Sequence, residues 1–513
     1  MIRQKKLVSI LLILAMSLTA LGAGALAEES VKVDTLKVGV GSILGTLDPC
    51  YAVGIAQMAV FYNVFDLLVE ADETAEDGIR GVLASAWEQV DDVTWDVTIR
   101  EGVTFQNGEA CTAEDVVFTF ERILDPTYGD GTIRTLFDNI TSVTAEDDYT
   151  VRFVTSAADA VFLQRLSSVW GAYIVPRAYI TEIGNEAFQQ APIGTGPYRV
   201  ADFTPEQIIL EAYDGFWGEQ PNAGRIEYTL YSETAARITA LITGEMDIIA
   251  QVTTDMIPSL EFEPNLNVVG GDVLNIHTVV FYGNTAPMND VNFRLALLYA
   301  VDRELLVQAL WDGKTIVPNG HQFEAYGDGY IPEYEGIGFD LEKAKEYLAQ
   351  SSYNGETIKY TLRDGYYTNG NAAAEAVVDM WKAIGVTAEV DIRDSYKWDE
   401  VTDMRTWSTA SRMNDILGGV WMLWAPGSNP HQYAWLDGMP EGWLEVGENL
   451  TKESDPAARR ELIVEMLTIW DEQGMGLLLY NNAEFFGVRD GINWEPSADQ
   501  RMNFRAENLS FSE

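Results

Sequence analysis

Three histidines, two cysteines and a large surplus of carboxylates are the residues of this 513-residue chain most able to do chemistry. His277, His321 and His431 stand far apart, and Cys50 and Cys111 form no C-x-x-C, so no zinc site can be assembled from sequence neighbours. An oxidising compartment would let the two cysteines pair, and two buried thiols fit the sequence equally well. Gly39-x-Gly41-x-x-x-Gly45 has the wrong spacing for a dinucleotide loop, and the chain holds no G-x-S-x-G, H-E-x-x-H or G-x-x-x-x-G-K-[ST]. With 79 Asp and Glu, no catalytic pair can be singled out. A secreted glycoside hydrolase therefore stands as the contrasting class, recognisable by two facing carboxylates in a cleft with one raised pKa. The other concentration is aromatic: Trp407, Trp421, Trp424, Trp435 and Trp443, with Tyr433, crowd one stretch. Such faces stack on sugar rings or line the pockets of apolar side chains.

The N-terminus sets the compartment. Arg3, Lys5 and Lys6 precede an apolar run from Leu7 to Leu21, and Ala25-Leu26-Ala27 offers an A-x-A cleavage site. Residues 1–27 read as a signal peptide, because the apolar core is shorter than the roughly 20 residues of a membrane span. The first cysteine is Cys50, far from the cleavage point, so a lipid anchor has no attachment site there. The expectation is an exported, periplasmic or extracellular, non-lipidated, soluble monomer. A net charge of −46 repels nucleic acid and anionic lipid surfaces, so neither is expected as a partner. No cofactor is expected.

Strand-like and helix-like segments alternate along the chain, the pattern of α/β units on mixed sheets. Thr112 with Asp115 forms a capping box for a helix from Ala113 to Leu124, stopped by Pro126. Ser232 opens a helix ending at Gly244, followed by a strand from Met246 to Ala250. Asp290, Asp302 and Asp340 start helices over Val291–Ala300, to Leu310, and over Leu341–Ala349. Asp455-Pro456 starts one reaching Gln473, followed by an apolar strand, Leu477–Tyr480.

Taken in order, the segments resemble the extracellular solute-binding proteins of family 5, the oligopeptide, dipeptide and nickel binders. The resemblance rests on Thr46-Leu47-Asp48-Pro49; on Leu83-Ala84-x-x-Trp87, Gly102-Val103-x-Phe105-x-x-Gly108 and Thr112-Ala113-Glu114-Asp115-Val116-Val117; and on Gly194-Thr195-Gly196-Pro197-Tyr198. Ala240-Leu241-x-x-Gly244-Glu245-x-Asp247, Asn292-x-Arg294-x-Ala296 and Asp340-x-x-Lys343-Ala344 follow in family order. It implies an α/β, two-lobed periplasmic-binding-protein fold of the cluster C type, hinged by two crossover strands. Lobe I would comprise residues 28–51, an extra subdomain at 52–180, 181–284 and a C-terminal return at 484–513; lobe II would span 285–483.

The resemblance also implies a function: capture of a small solute, foremost an oligopeptide or dipeptide, and delivery to an ABC permease and its ATPase. The implied ligand loop is Trp421 to Tyr433, and its candidate contacts are Trp421, Trp424, Ser428, Asn429, His431 and Tyr433. Peptide-binding relatives place an aspartate in this loop for the peptide's ammonium group; here none occurs, so the acid must come from elsewhere. Asn429-Pro430-His431 resembles the D-P-H of nickel-chelate binders, which makes His431 the metal contact under that alternative. An oligosaccharide is the third ligand class.

Overall fold

Two long strands, Leu266–Phe281 and Gly476–Arg489, organise the chain. They appear in a computed structural model that describes residues 32–512 apart from 44, 52–54, 73 and 76–77. The expected signal peptide lies outside the described residues. The strands lie antiparallel at the centre of a ten-stranded mixed sheet. From one edge its order is Ala388–Arg393, Ile358–Arg363, Met404–Ala410, Leu266–Phe281, Gly476–Arg489, Ile248–Ile249, Leu36–Val40, Arg225–Leu230, Gln207–Ala212 and Tyr198–Phe203.

The pairing of the two long strands is interrupted near the middle. Leu266 to Asp272 pair with Arg489 to Ala483, and Ile276 to Val280 pair with Asn481 to Gly476, with register shifts after Asp272 and His277. Each half of the strand pair serves a different half of the sheet. Beyond Asp272 the neighbours are Ile248–Ile249 and Leu36–Val40, and beyond Ile276 the neighbour is Met404–Ala410. Gly270 sits beside the break at φ +112°, where a Cβ would lie 2.1 Å from the carbonyl oxygen of Glu484. Only glycine tolerates both that dihedral and that approach. The chain therefore forms two α/β halves joined by two continuous strands. The expected boundary at 284/285 falls just after the first of these strands ends.

Helices connect the strands within each half, and several carry the caps their local signals require. Thr112 and Asp115 make the expected capping box on Ala113–Leu124. Asp290, Asp302, Asp340 and Asp455 each cap their helix through the side chain. The helix expected from Ser232 starts later, at Thr234, and ends at Gly244 in the left-handed region. A separate antiparallel sheet, ordered Ala84–Asp91, Thr94–Ile99, Thr150–Thr155, Ile140–Ala145, packs on the Ala113–Leu124 helix. There Phe120 meets Phe153 edge to face at 5.1 Å.

The glycines of Gly194-Thr195-Gly196-Pro197-Tyr198 are needed for contact and not for a turn with positive φ. A Cβ on Gly194 would lie 2.2 Å from the Val64 carbonyl oxygen, and on Gly196 2.7 Å from the Val64 carbonyl carbon. The buried Gln106 side chain clamps this approach, accepting from Gly194 N and donating to Val64, Gly196 and Tyr198 carbonyls at 2.8–3.1 Å. Cys50 and Cys111 are both free and buried, and burial pushes the Cys50 thiol up to about 12.

Candidate functional site

The register break opens a chamber of about 400 Å³ between the two halves, within the size range of small-ligand sites. From the first half come Ser42, Gln251 to Thr253, Gln500 and, from beside the small antiparallel sheet, Trp170. The two long strands give Val273, Asn275 and Asn482 to Phe485. The second half supplies Trp311, Tyr366 to Thr368, Trp407, Ser408, Ala410, Arg412 and Leu423. Gln251 adopts φ +56°, a left-handed conformation that costs a residue with a Cβ about 1–2 kcal/mol. The buried Arg237 guanidinium holds it there, donating to the carbonyls of Ala250 at 3.0 Å and Gln251 at 3.2 Å. Such enforced strain concentrates at functional sites.

Among the described residues lining the chamber, one cation and one carboxylate face each other's half. Arg412 stands just beyond the strand Met404–Ala410, half-buried, with its guanidinium carbon 4.3 Å from the Trp170 ring of the opposite half. Its Nε and Nη1 are enclosed and have no hydrogen-bond partner in the protein. Burial pushes its pKa down to about 10, outweighing the electrostatic influence of Asp130 and Tyr366, which raises it. A desolvated guanidinium without a counter-charge is costly, and a carboxylate matches its fork of donors. Glu484 lies on the second long strand, where burial raises it to about 7 against the lowering effect of a 3.0 Å hydrogen bond from Gln500. No ion pair joins Glu484 to Arg412 or to any other described cation. Two further enclosed atoms, Asn275 Oδ1 and Asn482 Nδ2, also have no partner in the protein. Among the described lining residues Glu484 is the sole carboxylate, so the facing pair of a glycosidase is not assembled in this chamber.

Residues 78–431 match the family described as bacterial extracellular solute-binding proteins, family 5 middle. The chain belongs to this family. Among curated family relatives it is 27% identical to heme-binding protein A of Haemophilus influenzae, over 65% of each chain. It is 28% identical to a probable D,D-dipeptide-binding periplasmic protein of Escherichia coli, over 60% of this chain and 59% of that one. The match thus spans about three-fifths of the length of these two relatives. A solved periplasmic binding protein from Helicobacter pylori, in complex with the peptide STSA, superposes with a TM-score of 0.80 at 19% identity, covering 94% of this chain and 99% of that one. A substrate-binding protein from Listeria monocytogenes reaches 0.82 at 20%, covering 94% and 100%. The family-5 fold, two lobes in α/β architecture, is that of this chain.

The expected ligand loop, Trp421 to Tyr433, is built from two short helical pieces. Trp421 and Trp424 lie in a short helix, Val420–Trp424, and His431 and Tyr433 in one wide helical turn, Pro430–Ala434. Trp424 is fully buried, meets Trp470 edge to face at 4.5 Å and accepts at its carbonyl from Trp443 Nε1 at 3.2 Å. Trp421 packs beside Trp443 at 6.3 Å, in a groove that Gly447 leaves open. Ser428 Oγ accepts from the His431 amide at 3.3 Å, Asn429 is exposed, and His431 and Tyr433 are half-buried. The residue of this segment that lines the chamber is Leu423. Of the aromatic crowd, Trp407 lines it, while Trp435 stacks under Arg294 at 4.9 Å. Among the described residues no group of three or more His, Cys, Asp or Glu converges in a metal-binding arrangement.

Sequence reasoning did not single out Arg412, Glu484, Asn275 or Asn482. A signal existed for Glu484 and Asn482: Asn481-Asn482-Ala483-Glu484 interrupts the apolar run that begins at Leu477. The strand continues through them to Arg489, with Asn482 and Glu484 the less buried positions before its last residue.

Proposed function

We propose that this chain is the solute-binding component of an ABC importer, and that it captures a small carboxylate-bearing peptide between its lobes. The observation carrying this reading is Arg412, a desolvated guanidinium with two unpartnered nitrogens on the wall of the interlobe chamber. Asn275 Oδ1 and Asn482 Nδ2 add an acceptor and a donor suited to a peptide bond, and the dipeptide-binding names among the relatives point to the same class. Lobe II would span 285–483, with the remaining parts of 28–513 forming lobe I and its extra subdomain. The register break at Asp272–Ile276 and Asn481–Ala483 would serve as the hinge. After export through the 1–27 segment, the loaded protein would deliver its solute to a membrane permease and ATPase, acting as a binder without catalysis.

A thermal-shift comparison of refolded protein with dipeptides, cello-oligosaccharides and nickel–histidine tests this. A ligand at a hundredfold excess over its Kd stabilises the folded state by about 2.7 kcal/mol. Dipeptides should raise the melting temperature, and the shift should vanish in Arg412→Met. A shift with oligosaccharides or nickel–histidine alone would sink the peptide reading.

A further inference from the structure

We propose that Glu484 receives the ammonium group of the ligand and that the small apolar pocket beside it takes the side chain of the same residue, so that the chamber selects short zwitterionic peptides beginning with a compact aliphatic residue. This rests on the peptide reading above.

Glu484 lines both the ligand chamber and a second cavity of about 40 Å³. Ser42, Gln251 and Gln500 also border both, so the two spaces adjoin along the Glu484 side chain. Apart from these four residues, the described wall of the smaller cavity is mostly apolar, with Val40, Ile43, Ala59, Val60, Ile208 and Met502 contributing. A volume this small favours a compact aliphatic group over a large side chain. No lysine or arginine lines it. Glu484 is therefore a carboxylate in a site with one amide partner, Gln500, and no counter-cation from the chain. A carboxylate partly withdrawn from water with no cation beside it is stabilised by an incoming ammonium group.

The geometry also sets a direction. Gly271, on the first long strand, is the register partner of Glu484, while Arg412 lies two residues beyond Ala410, the partner of Asn275. The first long strand thus runs between the two charges, with Asn275 and Asn482 near its break. A ligand with ammonium on Glu484 and carboxylate on Arg412 would lay its peptide bond past these two amides. The acid that the Trp421–Tyr433 loop does not supply comes from the hinge strand in this scheme.

The test is isothermal titration of refolded protein with Val-Gly, its amine-free analogue isovaleryl-glycine, Gly-Val and Lys-Gly. Isovaleryl-glycine is smaller than Val-Gly, so a clash cannot explain weaker binding. It should bind at least ~30-fold more weakly, in line with loss of one partner of an enclosed charge pair. Glu484→Gln should weaken Val-Gly to a similar degree and erase the difference between the two ligands. Gly-Val and Lys-Gly should each bind at least ~10-fold more weakly than Val-Gly, because neither offers a compact aliphatic group at the amino-terminal position. Equal binding of Val-Gly and isovaleryl-glycine by the wild type, with Arg412→Met still abolishing both, would overturn the role of Glu484 and leave the carboxylate anchor standing. Equal binding of Val-Gly and Gly-Val would overturn the pocket assignment. No binding of any of the four would overturn the peptide reading and this inference with it.

Discussion

Replacing Arg412 with Met should move stability and binding in opposite directions. The substitution keeps the apolar stem and removes the guanidinium. Burial holds the side chain at about 10, down from 12.5, which corresponds to roughly 3 kcal/mol of unfavourable desolvation at 1.36 kcal/mol per pH unit. Stacking on the Trp170 ring at 4.3 Å returns about 0.5–2 kcal/mol of that. No hydrogen bond to Nε or Nη1 is lost, since neither has a partner in the protein. The ligand-free variant should therefore be more stable than the wild type by on the order of 1 kcal/mol. A dipeptide should bind it more weakly by about 2–5 kcal/mol, the range for removing one partner of a desolvated, hydrogen-bonded charge pair. Urea unfolding of refolded, ligand-free protein gives the first quantity, and titration calorimetry with Val-Gly gives the second. A variant that is clearly less stable without ligand, or one that binds Val-Gly as the wild type does, would refute the reasoning.

Trp424→Ala should act chiefly on the fold, since the ring is fully buried against Trp470; a loss of about 3–5 kcal/mol is expected in denaturant unfolding. Arg122→Met should cost about 3–5 kcal/mol by the same assay, because it strands the fully buried Asp48, whose Oδ2 lies 2.6 Å from Arg122 Nη2. For His277, burial pushes the imidazole down to about 3, below its ordinary 6.5, so the unfolded chain takes up the proton first. That group's contribution is present above about pH 6.5 and is lost as the pH falls toward 3. His277→Leu should remove the loss, shifting stability relative to wild type in the variant's favour by up to ~1.4 kcal/mol per pH unit across that window. Asp471 and Glu484, raised by burial to about 6 and 7, act in the opposite sense, but they are common to both proteins and cancel in the difference.

The elements legible in the sequence are those specified by neighbouring residues. Asp290, Asp302, Asp340 and Asp455 mark helix starts because the cap is a contact across two or three residues, and the structure keeps each one. The strand expected from Met246 to Ala250 is found there, shortened to Ile248–Ile249. The long strands were not legible as such. An apolar run that stops at Tyr480 reads as a short strand, whereas Asn481 to Arg489 remain strand because Leu266–Phe281 pairs along most of this length and Ile248–Ile249 pairs with Gly487 and Val488. Where this strand lines the chamber, Asn482 and Glu484 replace apolar residues and mimic a strand end. The aromatic cluster misleads for a related reason: Trp421, Trp424, Trp443 and Trp470 gather as core, and sequence spacing does not separate a core face from a ligand face. Arg412 carries no local mark at all. Its significance is the lack of a partner, which only tertiary structure can reveal.

Native mass spectrometry of wild-type protein, purified without unfolding and compared with the same protein after unfolding and refolding, tests the central claim most directly. The account predicts a population of the first sample carrying a peptide-sized, carboxylate-bearing molecule that unfolding releases. It also predicts that Arg412→Met, purified in the same way, carries none. Bare polypeptide in both wild-type samples, or a retained neutral oligosaccharide that survives Arg412→Met, would contradict it.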